Sequence, residues 1–438
     1  MAKVLVIGAA RSGVAAAKLL KKENYEVVLT DMKEVAQKEE LTSLGIQVVD
    51  GGHPDWLKEE AWEFIVKNPG IPYRAPLVKY FVEKGTPIYT EIEIGYRFAP
   101  NFSYGAITGT DGKTTITTLL YEMLSASQKA LVAGNIGTPL CECALHNDGK
   151  DISVALELSN FQLLGCDTFK PTISTVSNLA PDHLDYMDTI EEYYESKMFI
   201  YKNCSKEDAF IRNVDDPLIL KYAQNIPCEV IDFSLVRKDV DLFVDGEYAY
   251  FKEVPLFKVS DLKIVGSFNC GNAMMAACMA YKMGVSLEDI QTVIKNFKGV
   301  EHRIEYVDTY NGVRFYNDTK ATNTHSACAA LSAFEKNVIL LCGGKDKHIS
   351  FDDMSQYDNK VKHCFSFGQT KDYFKPIFTN QTSCETMEEA LMKAIEVAQE
   401  GDVILLSPAC SSFDQFKNYE VRGQIFKELV HNYIDQRR

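Results

Sequence analysis

The chain has 438 residues, 46% of them hydrophobic and 24% charged, with a formal net charge of −15. That length exceeds one ordinary domain and supplies apolar material for several cores. The acidic balance, with no block of Lys and Arg, excludes a nucleic-acid surface, because phosphate backbones are held by clustered positive charge. The twelve cysteines include no C-x-x-C and sit in apolar runs such as "LLCGG" and "SPAC". They read as buried free thiols in a reducing compartment, so a cytoplasmic location is expected. The apolar run in "MAKVLVIGAARSG" is too short for a signal peptide, and no apolar stretch approaches ~18 residues, so no membrane span is expected.

From the N-terminus, "KVLVIG" predicts a strand, 12–23 a helix, "EVVLTD" a strand, 33–44 a helix and "IQVVD" a strand. Strands alternating with helices argue for a parallel sheet covered on both faces. After "GTPIYTEIEIGYRF" the pattern restarts at "YGAITGTDGKTT" and runs through "ISVALEL", "TISTVSNL", a helix over 190–203 and "AFIRN". "VDLFVDGEYAYFKEVPLFKV" alternates about a D-G pair and predicts hairpins. Helices over 270–283 and 286–297 close that segment. A third α/β unit follows: "VRFYND", a helix over 323–334, "NVILLCGGKD", "HCFSFG", a helix over 386–399 and "DVILLSPA". Three domains are expected, over 1–92, 93–298 and 299–438.

Two glycine loops carry chemistry. "GAARSG", Gly8 to Gly13, lies between a strand and a helix, with Asp31 ending the next strand. A helix N-terminus in that setting can meet a pyrophosphate. The spacing is G-x-x-x-x-G rather than G-x-G-x-x-G, which leaves three readings: an NAD site, a turn without ligand, or a site for another diphosphate-bearing nucleotide. The second loop reads Gly109-Thr110-Asp111-Gly112-Lys113-Thr114-Thr115. It lacks the leading glycine of the strict G-x-x-x-x-G-K-[ST] pattern, since Ile107 stands there. Successive amides can still form an anion nest backed by the helix dipole. Lys113 can reach terminal phosphates, and the Thr114 or Thr115 hydroxyl can ligate Mg²⁺, so triphosphate binding is expected.

Glu157 ends an apolar strand, where ligands gather in open α/β sheets. A carboxylate there suits Mg²⁺, which shares oxygen ligands with substrate phosphates. Asn178 and His183 follow another apolar strand, and beside Glu157 the histidine is a candidate for metal or substrate. Lys197, in the segment "YYESKMFIY" that predicts a helix, is either an ordinary solvated or ion-paired lysine or a nucleophilic amine able to take up CO₂ as a carbamate.

The motifs "TGTDGKTT", "ELSNFQL", "DHLD", "ESK", "FNCGNAMMAA", "EHRIE" and "NDTKATN" occur in this order. Together they resemble those of the Mur ligases, ATP-dependent amide-bond formers of peptidoglycan precursor synthesis, from about residue 8 to 425. "NPGI", "LLCGGKDK" and "SPACSSFDQFKNYEVRG" resemble the family members that add D-glutamate to UDP-N-acetylmuramoyl-L-alanine. The resemblance implies an α/β fold of three domains: an N-terminal Rossmann-like one, a central P-loop ATPase-like one with a β-rich extension, and a C-terminal Rossmann-like one. It also implies ATP as co-substrate, two Mg²⁺ sites and a monomer.

Residue by residue, the resemblance assigns Gly109, Thr110, Asp111, Gly112, Lys113, Thr114 and Thr115 to the ATP phosphates. Asn272, Arg303, Asp318 and Lys320 are assigned to the adenosine or phosphates. Thr114, Glu157, His183 and a carbamylated Lys197 are the implied metal ligands, with Lys113, Glu157, His183 and Lys197 catalytic. Gly8, Arg11, Ser12, Gly13 and Asp31 fall to the uridine end, and Gly70 joins the substrate set. Asn135, Gly137, Ser159 and Gln162 are set towards the muramoyl-alanine end. Thr322, Lys347, Ser412, Phe413 and Tyr419 match the D-glutamate pocket, where a lysine suits a ligand with two carboxylates. The chain departs from the family at Phe268, Asn160 and the uracil-side residues. Competing readings are another ligase of the Mur/folylpolyglutamate superfamily, an NAD-dependent oxidoreductase, and a nucleotide-binding regulator.

Overall fold

The computed structural model describes residues 2–180 and 189–437. They form two compact units, Met1–Lys258 with Gly271–Val293, and Val259–Cys270 with Ile294–Arg438. His183 lies outside the described residues.

The first unit holds two sheets. In the five-stranded parallel one, Lys3–Ile7 is central, flanked by Glu26–Thr30 and Phe64–Lys67, with Gln47–Val49 and Ile88–Tyr89 at the edges. Apolar residues on both faces make these strands near-continuous hydrophobic runs, as a parallel sheet covered by helices requires. The expected helix over 33–44 forms only as Lys38–Ser43. Val35 is buried, and its amide donates to the Asp50 carboxylate, which holds the preceding residues out of helical geometry.

The second sheet has nine strands. Phe102–Thr108 runs parallel between Ile173–Val176 and Ile152–Glu157, with Ala130–Gly134 beyond. On the other side come Ala209–Asn213 and Glu229–Phe233, then an antiparallel meander of Leu242–Asp245, Tyr248–Phe251 and Val254–Lys258. The turn at Asp245–Tyr248 is the one the D-G pair predicts. The helix Lys113–Ser127 covers one face with Ile116, Leu119, Leu120, Met123 and Leu124, all buried. The helix expected over 190–203 is Ile190–Met198, ending in the tighter turn Phe199–Tyr201.

The second unit contains a six-stranded sheet. Glu305–Tyr310 pairs antiparallel with Val313–Asn317, and the rest is parallel in the order Val403–Leu406, Val338–Gly343, Val361–Phe367 and Gln381–Ser383. In each sheet the central strands run parallel, so their carboxyl ends open onto one edge, where ligands bind in such folds. All twelve cysteines are free, and all but Cys228 and Cys270 are buried. No described helix is long and apolar enough to cross a membrane.

Candidate active site

The strand Phe102–Thr108 delivers its chain into loop 109–112, which ends at the helix Lys113–Ser127. Gly109 and Gly112 have φ of +139° and +81°, a region costly for residues with a Cβ. Space excludes a side chain as well: a Cβ on Gly109 would stand 2.0 Å from Ser177 Oγ, and one on Gly112 2.6 Å from Asn272 Oδ1. The neighbouring strand end braces the loop. Thr110 N–H donates to the Asn178 carbonyl (3.0 Å) and Asp111 N–H to Asn178 Oδ1 (2.9 Å). Ser177 Oγ donates to the Asp111 carbonyl, and Thr110 Oγ1 accepts the Ala180 amide at 3.0 Å. Ser177 was not singled out by sequence reasoning. Its signal was a run of polar residues directly after the apolar strand "TISTV".

Lys113 folds back, its Nζ 3.0 Å from the Gly109 carbonyl and 2.7 Å from that of Thr110. Lys197 reaches the same Gly109 carbonyl at 2.8 Å from the helix Ile190–Met198, where it is 2% exposed and lies 4.5 Å from the Tyr193 ring centre. A solvated lysine is thereby excluded. Thr114 is half-buried and Thr115 buried on the first helical turn.

Glu157 is 1% exposed at the end of its strand. Its Oε1 accepts from Asn135 Nδ2 at 2.8 Å, while Oε2 is buried with no hydrogen-bond partner among the described residues. An orphaned carboxylate oxygen is costly unless something cationic or donating meets it. Among the described residues no three His, Cys, Asp or Glu converge. A cation beside Glu157 would complete its shell with further oxygen ligands, the manner of Mg²⁺, so the residues present fit that ion.

Other expected substrate residues are already engaged with one another. Ser159 and Gln162 form a reciprocal capping box on the helix Asn160–Leu163. On the first sheet, Asp31 accepts the amides of Ala9 (2.7 Å) and Lys33 (2.9 Å), so it braces the first glycine loop. Gly13 is required where it stands, because a Cβ there would lie 1.9 Å from the Gly8 carbonyl. Ser12 Oγ accepts from Asn68 Nδ2 (3.0 Å), and the Gly70 amide donates to Asn68 Oδ1 (3.1 Å). Arg11 Nη1 reaches the Gly137 carbonyl at 3.0 Å, bringing the first loop to the segment that carries Asn135.

In the second unit, Asp318 follows the strand Val313–Asn317 and is 4% exposed. Burial pushes its carboxyl up to about 7, against hydrogen bonds from Ser407 Oγ (2.7 Å) and the Ile304 amide. Lys320 donates its amide to the His302 carbonyl, and its side chain and that of Arg303 are exposed. Lys347 Nζ holds the Thr322 carbonyl at 2.9 Å. Ser412 is buried and accepts the Phe416 amide through its carbonyl, while Phe413 is 65% exposed. Tyr419 starts the helix Tyr419–Asp435, and its carbonyl accepts from Thr319 Oγ1.

Residues 107–280 match the Mur ligase middle domain and residues 302–410 the glutamate ligase domain of Mur ligases. Over 445 residues the chain is 43% identical to the UDP-N-acetylmuramoylalanine–D-glutamate ligase of Geobacillus kaustophilus, covering 98% of this chain and 97% of that one. The enzyme of the same name from Bacillus mycoides is 43% identical over 441 residues, covering 98% of each. Among solved structures, a pseudomurein peptide ligase type C from Methanothermus fervidus is similar with a TM-score of 0.55 at 18% identity, covering 99% of this chain and 100% of that one. UDP-N-acetylmuramate-alanine ligase MurC from Thermotoga maritima gives a TM-score of 0.55 at 16% identity over the whole of both chains. The structural likenesses bear on the fold alone.

Proposed function

The chain belongs to the Mur ligase family, and from that premise we infer that it joins D-glutamate to UDP-N-acetylmuramoyl-L-alanine at the expense of ATP, in peptidoglycan precursor synthesis. The observation that carries the reading is identity of 43% spread over 98% of the chain to ligases of that specificity. An oxidoreductase built on the first glycine loop leaves the second loop and the third sheet without a task. A cytoplasmic location is proposed with it.

We assign residues 1–92 to the UDP end of the substrate, 93–298 to ATP and 299–438 to D-glutamate. A carboxylate is a poor electrophile, so the alanyl carboxylate attacks the γ-phosphorus of ATP and ADP leaves. The amine of D-glutamate then attacks the acyl carbon, loses a proton and expels phosphate as the amide forms. Loop 109–112 would cradle the triphosphate with its amides, and Lys113 would bring positive charge beside it. Glu157 Oε2, Thr114 and a carbamylated Lys197 would hold Mg²⁺, with His183 proposed as a further ligand. Mg²⁺ bound there supplies charge neutralisation on the transferred phosphoryl group. Asn135 fixes the Glu157 rotamer through Oε1, which leaves Oε2 for the ion. Asn272, Arg303, Asp318 and Lys320 remain proposed nucleotide contacts. Thr322, Lys347, Ser412, Phe413 and Tyr419 are proposed for D-glutamate, with Lys347 pairing a carboxylate.

The acyl-phosphate route is tested with substrate carrying ¹⁸O in the alanyl carboxylate. One labelled oxygen is expected in the released phosphate; unlabelled phosphate accompanying amide formation contradicts the route.

A further inference from the structure

The strand Phe64–Lys67 ends in a lysine that sequence reasoning passed over, and its environment is unusual. Lys67 is 0% exposed. Its Nζ lies 2.8 Å from the Ile71 carbonyl, 3.3 Å from that of Asn68 and 3.5 Å from that of Pro69, with the Tyr73 ring centre at 4.7 Å. Three carbonyl dipoles converging on one point repel one another, and a cation at their focus reverses that sign. The turn they belong to is 68–71, closed by the Ile71 amide on the Asn68 carbonyl at 3.0 Å.

Asn68 carries the consequence outward. Its amide is anchored on the Ile7 carbonyl (2.9 Å), its Nδ2 donates to Ser12 Oγ and its Oδ1 accepts the Gly70 amide. It also sits so close to the first glycine loop that a Cβ on Gly8 would be 2.7 Å from Asn68 Cβ. Burial lowers the Lys67 ammonium to about 8, the cost of holding a charge there, so the position is not one that core packing favours.

We propose that Lys67 is a positioning residue for the UDP end of the substrate, fixing the 68–71 turn so that Asn68 sets Ser12, Gly70 and the 8–13 loop in register for the diphosphate. The inference rests on the assignment of that loop to the UDP moiety. The proposal gives Lys67 the task of holding the turn, so its removal is expected to act on binding rather than on the chemical step.

The test uses the full-length enzyme with Lys67→Met, which keeps length and apolar bulk while removing the charge. Calorimetric titration with UDP, UDP-N-acetylmuramoyl-L-alanine and ADP is expected to show at least tenfold weaker binding of both uridine ligands. ADP affinity and the KM for D-glutamate should stay within twofold, with kcat at saturation retained. Equal binding of the uridine ligands by parent and variant overturns the proposal. Failure of the parent to bind them overturns the assignment on which it rests. Should Lys67→Met not fold, Asn68→Ala breaks the same relay at the next residue. The same selective loss is expected, and an unchanged uridine-ligand affinity in that folded variant overturns the proposal.

Discussion

Lys113 and Lys197 meet at one acceptor: both ammonium groups donate to the Gly109 carbonyl, at 3.0 and 2.8 Å. Two lysines drawn to the loop that the proposed mechanism gives to the ATP phosphates suit an anionic ligand there. Under that proposal Lys113 serves the phosphates and Lys197, as a carbamate, the metal.

Lys197→Ala is expected to lose about 100-fold or more in kcat and to recover part of it with added formate or acetate, whose carboxylate replaces the carbamate. Phosphate release across a formate titration measures this. A loss that no carboxylate restores means that Lys197 works as an ammonium.

Gly109→Ala places a side chain at positive φ and against Ser177. Backbone strain of this kind costs on the order of 1–3 kcal/mol. The displaced carbonyl is the one both lysines share, so ADP affinity should fall at least tenfold. Thermal melts and calorimetry read the two effects, and native ADP affinity contradicts the role given to the loop.

Glu157→Gln keeps an acceptor for Asn135 but removes the charge from a carboxylate whose other oxygen is buried and unpartnered among the described residues. The metal-free variant should melt no lower than the parent, because an uncompensated buried charge has gone. Its Mg²⁺-dependent turnover should fall about 100-fold. A variant that is less stable and still active reverses both halves of the argument.

Glu91, buried against the Cys141 amide, has its carboxyl pushed up to about 7 by burial. The folded protein therefore keeps a proton that the unfolded chain releases near the ordinary glutamate range. Stability from this group is full below that range and is lost as pH rises through about 7. Glu91→Gln should gain on the parent between pH 5.5 and 8, by on the order of 1–3 kcal/mol. Melting curves at the two pH values check this, and a gap that does not widen with pH contradicts it.

Elements with strong periodicity or a defined turn were legible in the sequence: the strands ending at Thr108 and Glu157, and the D-G hairpin at Asp245. The loop at 109–112 was legible because positive φ at Gly109 and Gly112 suits glycine. Side chains spent on holding loops were not. Ser159 and Gln162, which the resemblance sets towards the muramoyl-alanine end, also carry the S-x-x-Q signature of a capping box and form one. Asp31, which the resemblance gives to the uridine end, takes two backbone amides. Lys67 gave a signal, a lysine in the apolar run "FIVKNPG", but its partners are carbonyls of the residues that follow, which no residue pattern specifies.

The most direct measurement is phosphate release from ATP in the presence of UDP-N-acetylmuramoyl-L-alanine and a panel of amino acids. Turnover is expected with D-glutamate and only background with L-glutamate, L-lysine, meso-diaminopimelate or no amino acid. Release with D-glutamate no faster than with L-lysine, or with no amino acid at all, contradicts the account.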